Sequence, residues 1–187
     1  MRNLEERIRK ALREIAIKKI TDDELIQSAI LIPIFKNEGK YSLLFTKRPR
    51  TLKRHAGQVA FPGGIYEECD NDIEKTAIRE TCEELGIKHE NIKVLGRLDD
   101  MMTSTGYIIS PFVGKIDSYN KIKINREEIE ELKMIPLFDL MNISPRVEMR
   151  TFKQSPYPVY YYDYKNWVIW GATGKILKKF LEIISKI

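Results

Sequence analysis

Residues 72–86, DIEKTAIRETCEELG, constrain the fold more than any other segment because they specify a helix with two defined ends. Asn71 or Asp72 can cap the first turn, and Gly86 can end the helix in the left-handed conformation. At about 100° per residue, one arc of this helix collects the apolar side chains. These are Ile73, Ala77, Ile78, Thr81, Cys82 and Leu85. The chain must therefore supply an apolar surface that covers this arc.

The same helix carries three glutamates at spacings that disfavour a helix. Glu80 and Glu84 lie about 40° apart at one edge of the apolar arc, and Glu83 lies further round. Like charges at these spacings repel, so we expect a group outside the helix to stabilise them. A cluster of carboxylate oxygens suits a hard divalent cation such as Mg²⁺ or Mn²⁺. The alternative is a solvated acidic stripe that Arg79 and Lys75 partly neutralise.

The rest of the chain alternates between strand and helix patterns. SAILIPIFK and YSLLFTKR, joined by NEG, predict a hairpin, and VAFPGG predicts a short strand that ends in a glycine turn. NIKVLGRLDD, YIISPFVGKI and YPVYYYDYKNWVIWGA read as further strands. Amphipathic helices are predicted at residues 4–17, within an N-terminal segment of about 1–19, and from residue 173 to the end. In NREEIEELKMIPLFDLM, helix and strand signals compete.

These elements, without a regular βαβ alternation, predict a mixed α/β (α+β) fold. The length of 187 residues fits one domain spanning 1–187. The N-terminal helix has two readings, a contact in a homodimer or a cap on the core.

Composition excludes some classes of protein and favours anionic partners. The longest apolar run, AILIPIF, is far shorter than the ~20 residues of a membrane span, so no membrane association is expected. The charged start, without an apolar signal-peptide core, predicts a cytoplasmic protein in which Cys69 and Cys82 are reduced. The net charge of +5 favours phosphates, nucleic acid or membrane surfaces as partners, or else reflects a lysine-rich solvated surface.

The segment GGIYEECDNDIEKTAIRETCEELGI, about residues 64–87, resembles the Nudix box of the Nudix hydrolases. The core pattern REXXEEXGU, in which U is a bulky aliphatic residue, is matched in full from Arg79 to Ile87. Two features depart from the general pattern. Asp70 stands where the box has a glutamate, and the interval from Asp70 to Arg79 is one residue longer than usual.

Both departures resemble the coenzyme A pyrophosphatase-like subgroup of that family. Two further stretches support the same subgroup, LLFTKRPRTLKRHAGQVAFPGG before the box and VIWGATGKIL near the C-terminus. The likeness extends from about residue 28 to the end of the chain. It implies a Nudix α/β/α sandwich with a mixed central sheet.

The resemblance also implies a reaction, in which water attacks a diphosphate and metal ions assist. Carried onto this sequence, it makes Glu80 and Glu84 metal ligands, with Glu83 in the same cluster. Arg79 is expected to orient a carboxylate through its bidentate fork. Glu128 is the downstream candidate for a general base or further ligand, and a solvated acidic segment around it is an equal alternative.

Substrate contacts are expected from the segment before the box. Five basic residues lie in TKRPRTLKRH. Among them, Arg48 and Arg54 are the expected phosphate contacts, because arginine binds phosphate through two donors. Gly63 and Gly64 would let the backbone approach the ligand closely.

The leading hypothesis is metal-dependent hydrolysis of coenzyme A to 4′-phosphopantetheine and adenosine 3′,5′-bisphosphate. A Nudix hydrolase of another substrate, such as ADP-ribose, a dinucleotide or a nucleoside triphosphate, is the first alternative. The second is a non-catalytic nucleotide or nucleic-acid binder. The intact box glutamates disfavour this reading, because an acidic cluster repels phosphates unless a cation is bound there. No nucleic-acid partner is therefore expected.

Overall fold

The computed structural model describes residues 3–51, 55–117, 119 and 122–187. Within these ranges the chain forms four α-helices and eleven strands. The helices are α1 (Leu4–Glu14), α2 (Ile73–Leu85), α3 (Leu137–Asn142) and α4 (Gly171–Ile184). The first seven strands are β1 (Ile26–Asn37), β2 (Lys40–Lys47), β3 (Val59–Ala60), β4 (Gly63–Ile65), β5 (Ile92–Arg97), β6 (Met101–Met102) and β7 (Tyr107–Ile116). The last four are β8 (Glu131–Pro136), β9 (Arg146–Phe152), β10 (Ser155–Tyr164) and β11 (Trp167–Ile169).

A mixed eight-stranded sheet forms the centre of the fold. Its main path runs β3-β2-β1-β7-β5, while β4 pairs with β1, β6 with β7, and β8 with β2. Strands β1 and β7 are parallel, and the other pairs in this sheet are antiparallel. Strands β11, β10 and β9 form a separate antiparallel sheet. The predicted mixed α/β class with a mixed central sheet is confirmed.

Alternation along the central strands creates two apolar faces. Ala29, Leu31 and Phe35 of β1 lie on one face, in a cluster with Ala77 and Leu85 of α2. The intervening residues of β1 pack on the other face, in the larger cluster that includes apolar residues of α1, α3 and α4 and of the small sheet. Helix α2 is thus alone on its side of the sheet among the described helices, and the other three helices contribute to the opposite cluster.

The predicted hairpin is confirmed as β1 and β2. Asn37 pairs with Lys40, which leaves Glu38 and Gly39 as a two-residue turn. Both turn residues have positive φ, 49° and 79°, as a type I′ turn requires. Strand β2 of this hairpin runs antiparallel to β1, and the chain then continues into the segment that precedes α2.

The N-terminal helix is shorter than the sequence predicts, because it ends at Glu14 with Ile15 extended. The residues beyond it form hydrogen bonds with another part of the chain. The backbone N–H of Lys18 donates to Asp99 (3.0 Å), and that of Ile20 donates to Asp100 (2.9 Å). These contacts hold the backbone directly after the predicted helix end at residue 17 in a non-helical conformation. Ile8 and Leu12 of α1 are buried in the core, as a capping helix requires.

The ambiguous segment 125–141 contains both strand and helix. Residues 131–136 pair with residues 42–47 of β2, and Pro136 precedes the short helix α3. Helix α4 begins at Gly171, two residues before the predicted start. In the described residues, no helix is long and apolar enough to cross a lipid bilayer.

Gly86 provides a test of how α2 is joined to the rest of the fold. Its φ is +60°, and an added Cβ would lie 2.2 Å from the carbonyl oxygen of Lys123. We expect Gly86→Ala to lower the free energy of unfolding by about 2–4 kcal/mol, through left-handed strain and this clash. The measurement is urea unfolding at neutral pH.

Gly39→Ala is the matched control, because Gly39 also has positive φ (+79°) but has no atom within 4 Å of an added Cβ. Its cost should be about 1–2 kcal/mol, the strain alone. Equal losses for the two variants would contradict the role of the contact between Gly86 and Lys123.

Candidate active site

Helix α2 has the predicted ends. The side chain of Asp72 caps its start by accepting a hydrogen bond from the N–H of Lys75 (2.9 Å), and Gly86 ends it in the left-handed conformation. Ala77, Thr81 and Leu85 of the predicted arc are buried. Glu84 is also buried, at only 5% exposed, so this carboxylate lies deeper than its position at the edge of the apolar arc suggests.

Arg79 makes a bidentate ion pair with Asp70, which lies in the turn three residues before the start of α2. Its Nε donates to Asp70 Oδ1 (2.7 Å), and its Nη2 donates to Asp70 Oδ2 (3.1 Å). Asp70 is 4% exposed and also accepts hydrogen bonds from the hydroxyl of Thr76 (2.8 Å) and the N–H of Glu67 (3.0 Å). The hydrogen bonds from Arg79 hold the pKa of Asp70 well below its usual range. Asp70 therefore fixes Arg79 as a charged group on the loop side of α2.

The remaining donors of Arg79 hold the helix carboxylates. Nη1 donates to Glu80 Oε1 (2.9 Å) and to Glu83 Oε2 (3.2 Å), while Nη2 donates to the carbonyl of Ile65 (3.0 Å). The side chain of Glu83 is 56% exposed, whereas that of Glu80 is 17% exposed. Arg79 thus contacts carboxylates, as the orienting role expected from the sequence requires. Its guanidinium donors are shared between Asp70 and the two glutamates Glu80 and Glu83.

The glycine turn brings the backbone against Glu80. Gly63 and Gly64 pair with Ile30 and Ala29 of β1. A Cβ added at Gly64 would lie 2.3–2.4 Å from the carboxylate atoms of Glu80. One added at Gly63, where φ is +150°, would lie 2.2 Å from the carbonyl oxygen of Ala29. Any larger residue at either position would displace β1 or the carboxylate.

Glu128 joins this group from a distant part of the chain. The segment before it is bound to the C-terminal end of α2, because the N–H groups of Lys123 and Asn125 donate to the carbonyls of Leu85 (2.8 Å) and Glu84 (2.9 Å). The N–H of Glu128 donates in turn to the carbonyl of Asn125 (3.2 Å). The charge of Glu128 raises the pKa values of both Glu80 and Glu84.

Burial makes the deepest carboxylate costly to ionise. Desolvation, followed by the charge of Glu128, raises the pKa of Glu84 to about 8, although a hydrogen bond from the N–H of Gly63 opposes the shift. Glu84 Oε2 is buried without a hydrogen-bond partner. Desolvation also raises the pKa of Glu80, against the opposing charge of Arg79. An unpartnered buried carboxylate oxygen beside two further carboxylates is an arrangement that a bound cation would stabilise.

Arg48 is positioned near Glu84 by backbone hydrogen bonds to residues 57 and 58, which precede the glycine turn. Its N–H donates to the carbonyl of Gln58 (3.0 Å), and its carbonyl accepts from Gly57 (3.1 Å). Its charge lowers the pKa of Glu84, while its Nε is buried without a partner. The other predicted phosphate contact, Arg54, lies outside the described residues.

The sequence-predicted residues are thus divided into two groups. Glu80, Glu84, Glu128, Arg48 and the two glycines lie at one place, whereas Glu83 turns toward Arg79 and solvent. In the described part of the chain, no three His, Cys, Asp or Glu side chains are arranged to hold a metal ion as they stand. Glu80 is held by Arg79, so its carboxylate would have to reorient toward Glu84 to share a cation.

Asp70 and Thr76 are residues of this site that the sequence did not identify as site residues. Thr76 is fully buried and donates to Asp70. The signal was present, since Thr76 lies three residues before Arg79 and both therefore reach the same side of the helix.

Comparison with known proteins gives the family. The NUDIX domain model matches residues 25–158. An uncharacterized Nudix hydrolase, NudL, of Photorhabdus laumondii is 34% identical over 90% of this chain and 89% of its own length. Its counterpart in Pectobacterium atrosepticum is 38% identical over 85% of this chain and 83% of its own.

Solved structures show the same fold at low sequence identity. A Caenorhabditis elegans Ap4A hydrolase in a binary complex aligns with a TM-score of 0.56 at 20% identity, covering 87% of this chain and all of that one. RenU, a Nudix hydrolase from Mycobacterium smegmatis, aligns with a TM-score of 0.51 at 18% identity over 61% of this chain and 72% of its own. The domain match and the two relatives at 34% and 38% identity show that the chain belongs to the Nudix hydrolase family.

Proposed function

We propose that the protein is a metal-dependent coenzyme A diphosphatase, which cleaves coenzyme A into 4′-phosphopantetheine and adenosine 3′,5′-bisphosphate. Family membership makes it a pyrophosphohydrolase. The observation that carries the metal dependence is the buried, unpartnered oxygen of Glu84 beside Glu80 and Glu128. The substrate rests on the subgroup-like motifs between residues 43 and 64 and between 168 and 177.

The donor set fits Mg²⁺ or Mn²⁺ in its chemistry. Glu80 and Glu84 would hold the ion, Glu128 would add a third carboxylate, and Glu83 would reach it only after leaving Arg79. All of these ligands are oxygens, which hard divalent cations prefer. A bound cation would shield the phosphate oxygens and lower the pKa of the attacking water.

The chain itself would supply orientation, charge and proton transfer. Asp70 holds Arg79, and Arg79 holds Glu80 at the glycine turn, so the carboxylate is kept beside Glu84 and would turn toward it when a cation binds. Arg48 has an unsatisfied donor beside Glu84 and would bind a phosphate oxygen of the substrate. Glu128 would accept the proton from the attacking water, since its carboxylate lies within the electrostatic reach of both helix ligands.

A Nudix hydrolase of another substrate remains the first alternative within the family. The Caenorhabditis elegans neighbour is an Ap4A hydrolase, but at 20% identity the likeness concerns the fold. A non-catalytic nucleotide or nucleic-acid binder is the alternative of a different class. The buried Glu84 disfavours it, because a protein that only binds phosphates gains nothing from an uncompensated carboxylate beside them.

The first test is hydrolysis of coenzyme A with Mg²⁺ or Mn²⁺, and then with excess EDTA, with the products identified by mass. We expect cleavage into the two named halves and complete loss of cleavage in EDTA. Cleavage of ADP-ribose or Ap4A in place of coenzyme A would reject the substrate and retain the chemistry. Failure to cleave any diphosphate would reject the proposal and favour the binding protein.

Glu84→Gln tests the metal site directly. The neutral amide removes a ligand charge, so we expect turnover to fall at least about 100-fold. The metal-free variant should be as stable as the wild type or slightly more, because it no longer buries an uncompensated acid. Mn²⁺ should raise the melting temperature of the wild type and leave that of the variant unchanged.

Glu74→Gln is the matched control, since Glu74 is exposed on the same helix and outside the carboxylate group. It should retain the activity and the stabilisation by Mn²⁺. Full activity of Glu84→Gln would reject the assignment of the site.

Asp70→Asn tests the positioning of Arg79. Removing one charge from the ion pair should lower the free energy of unfolding by about 2–4 kcal/mol at pH 7, and should reduce turnover through Glu80. The folded-state pKa of Asp70 is depressed, so its contribution is complete above an unfolded pKa of about 3.9 and is lost as pH falls below it. The stability gap between wild type and variant should therefore narrow from pH 7 to pH 3, measured by urea unfolding.

Two further variants separate positioning from general destabilisation. Asp163→Asn, on the exposed part of β10, should change neither stability nor turnover. Asp70→Glu, which restores the usual family residue, should recover most of the turnover lost in Asp70→Asn. A stability gap that stays constant between pH 7 and pH 3 would contradict the buried ion pair.

A further inference from the structure

Among the residues that the structure describes, strand β9 is a sheet edge that is open over its whole length. In the described part of the chain it has one strand neighbour, β10, and its other edge is unpaired. All of its residues except Glu148 are exposed. An open strand of seven residues offers a row of backbone donors and acceptors to another chain.

Strand β9 carries several exposed apolar side chains. Of the ten large hydrophobic side chains that are exposed in the described part of the chain, three lie in β9, namely Val147, Met149 and Phe152. Val147 is 50% exposed, and Met149 is 64% exposed. Such clustering of apolar surface on one segment is typical of a contact surface.

The face that carries Val147 and Met149 continues the core face of the small sheet. These two residues pair with Tyr160 and Pro158 of β10, and therefore point to the same side as the buried Tyr162. Near β11 the core covers this side of the small sheet, whereas at β9 the sheet extends beyond the core. The strand thus presents an apolar strip and an open backbone edge together.

The long edge strands of the central sheet are protected by contrast. Strand β5 contains a bulge between Val94 and Gly96 and packs against α1. Strand β8 ends in a proline, at Pro136. Within residues 146–152 there is no proline, no lysine and no bulge in the pairing. Of the usual devices that prevent edge pairing, β9 therefore has only charged side chains, at Arg146, Glu148 and Arg150.

We propose that β9 pairs with β9 of a second copy of this chain, antiparallel about a two-fold axis at Met149. In this register the strand pairs along its full length, so that Val147 faces Thr151 of the other copy. The two small sheets would then join into one six-stranded sheet, twice the three strands of each copy. Isologous pairing of this kind uses the same patch on both subunits.

Charge complementarity selects a second copy as the partner. The full-length register sets Glu148 of one copy opposite Arg150 of the other, and the symmetry repeats this pair. Opposite charges directly across two strands stabilise their pairing. Within one chain, Glu148 already contacts both Arg146 and Arg150 (3.6 Å to Arg150), and Arg150 donates to the hydroxyl of Tyr161 (2.6 Å). These charges therefore lie on one face of the sheet, and the second copy would add a further opposite charge to each of Glu148 and Arg150.

The dimer would leave the carboxylate site open. Tyr162, Trp167 and Ile169 of the small sheet belong to the core cluster on the side of the central sheet away from α2. The inference therefore stands independently of the proposed reaction.

The experiment measures the oligomeric state by sedimentation velocity over a dilution series of the full chain. We expect wild-type dimers that dissociate on dilution. Val147→Lys should raise the dimer Kd at least about tenfold, because it places a charged lysine, a residue typical of protected edges, in the paired apolar strip of each copy. Val168→Lys is the matched control, since Val168 is 40% exposed in the same sheet but lies on β11, the strand furthest from β9. This variant should dimerise as the wild type does.

A charge exchange tests the register. Glu148→Arg and Arg150→Glu should each weaken the dimer, because each sets like charges opposite one another across the axis. The double variant restores opposite charges and should recover the dimer, even though the contacts within each chain are changed. A wild type that is monomeric at every concentration would overturn the proposal. So would a dimer that Val147→Lys leaves intact, equal weakening by Val168→Lys, or a double variant that stays monomeric.

Discussion

The bidentate contact between Arg79 and Asp70 connects the carboxylate-bearing helix to the loop before it. Asp70 is buried and satisfied by Arg79, Thr76 and the backbone of Glu67, so the loop cannot move without exposing or unpairing a charge. The same guanidinium reaches Glu80 and Glu83, and through the carbonyl of Ile65 it also reaches the end of β4. One side chain thus fixes the loop, the strand and the helix relative to one another.

This frame makes it possible to bury Glu84. Burying a carboxylate without a partner is costly, and the raised pKa of Glu84, about 8, expresses that cost. The cost is tolerated because α2 is held by its apolar face against β1 and by backbone bonds from the segment 123–125. The site therefore combines a stable scaffold with a carboxyl group whose ionisation burial disfavours, and a bound cation would favour the ionised form.

Much of this arrangement could be predicted from local sequence. The ends of α2 follow from Asp72 and Gly86, the hairpin from a two-residue turn between apolar runs, and the direction of Glu80 and Glu84 from helical geometry. Where local sequence was wrong or left the choice open, distant residues decided. The first helix ends at Glu14 and not at residue 17, and the backbone beyond it binds Asp99 and Asp100. Residues 131–136, where helix and strand signals compete, become a strand because β2 offers an edge. The sequence shows local preference, and these partners lie some 80 or more positions away along the chain.

The sequence by itself determined the helix, its caps, the glutamate spacing and the family, because all of these depend on residues a few positions apart. Only the tertiary structure decided that Glu84 is buried, that Glu128 and Arg48 act on it, that Glu83 turns to Arg79, and that β9 is an open edge. The physical reason is that burial, pKa values and free strand edges depend on which distant groups exclude water from a residue.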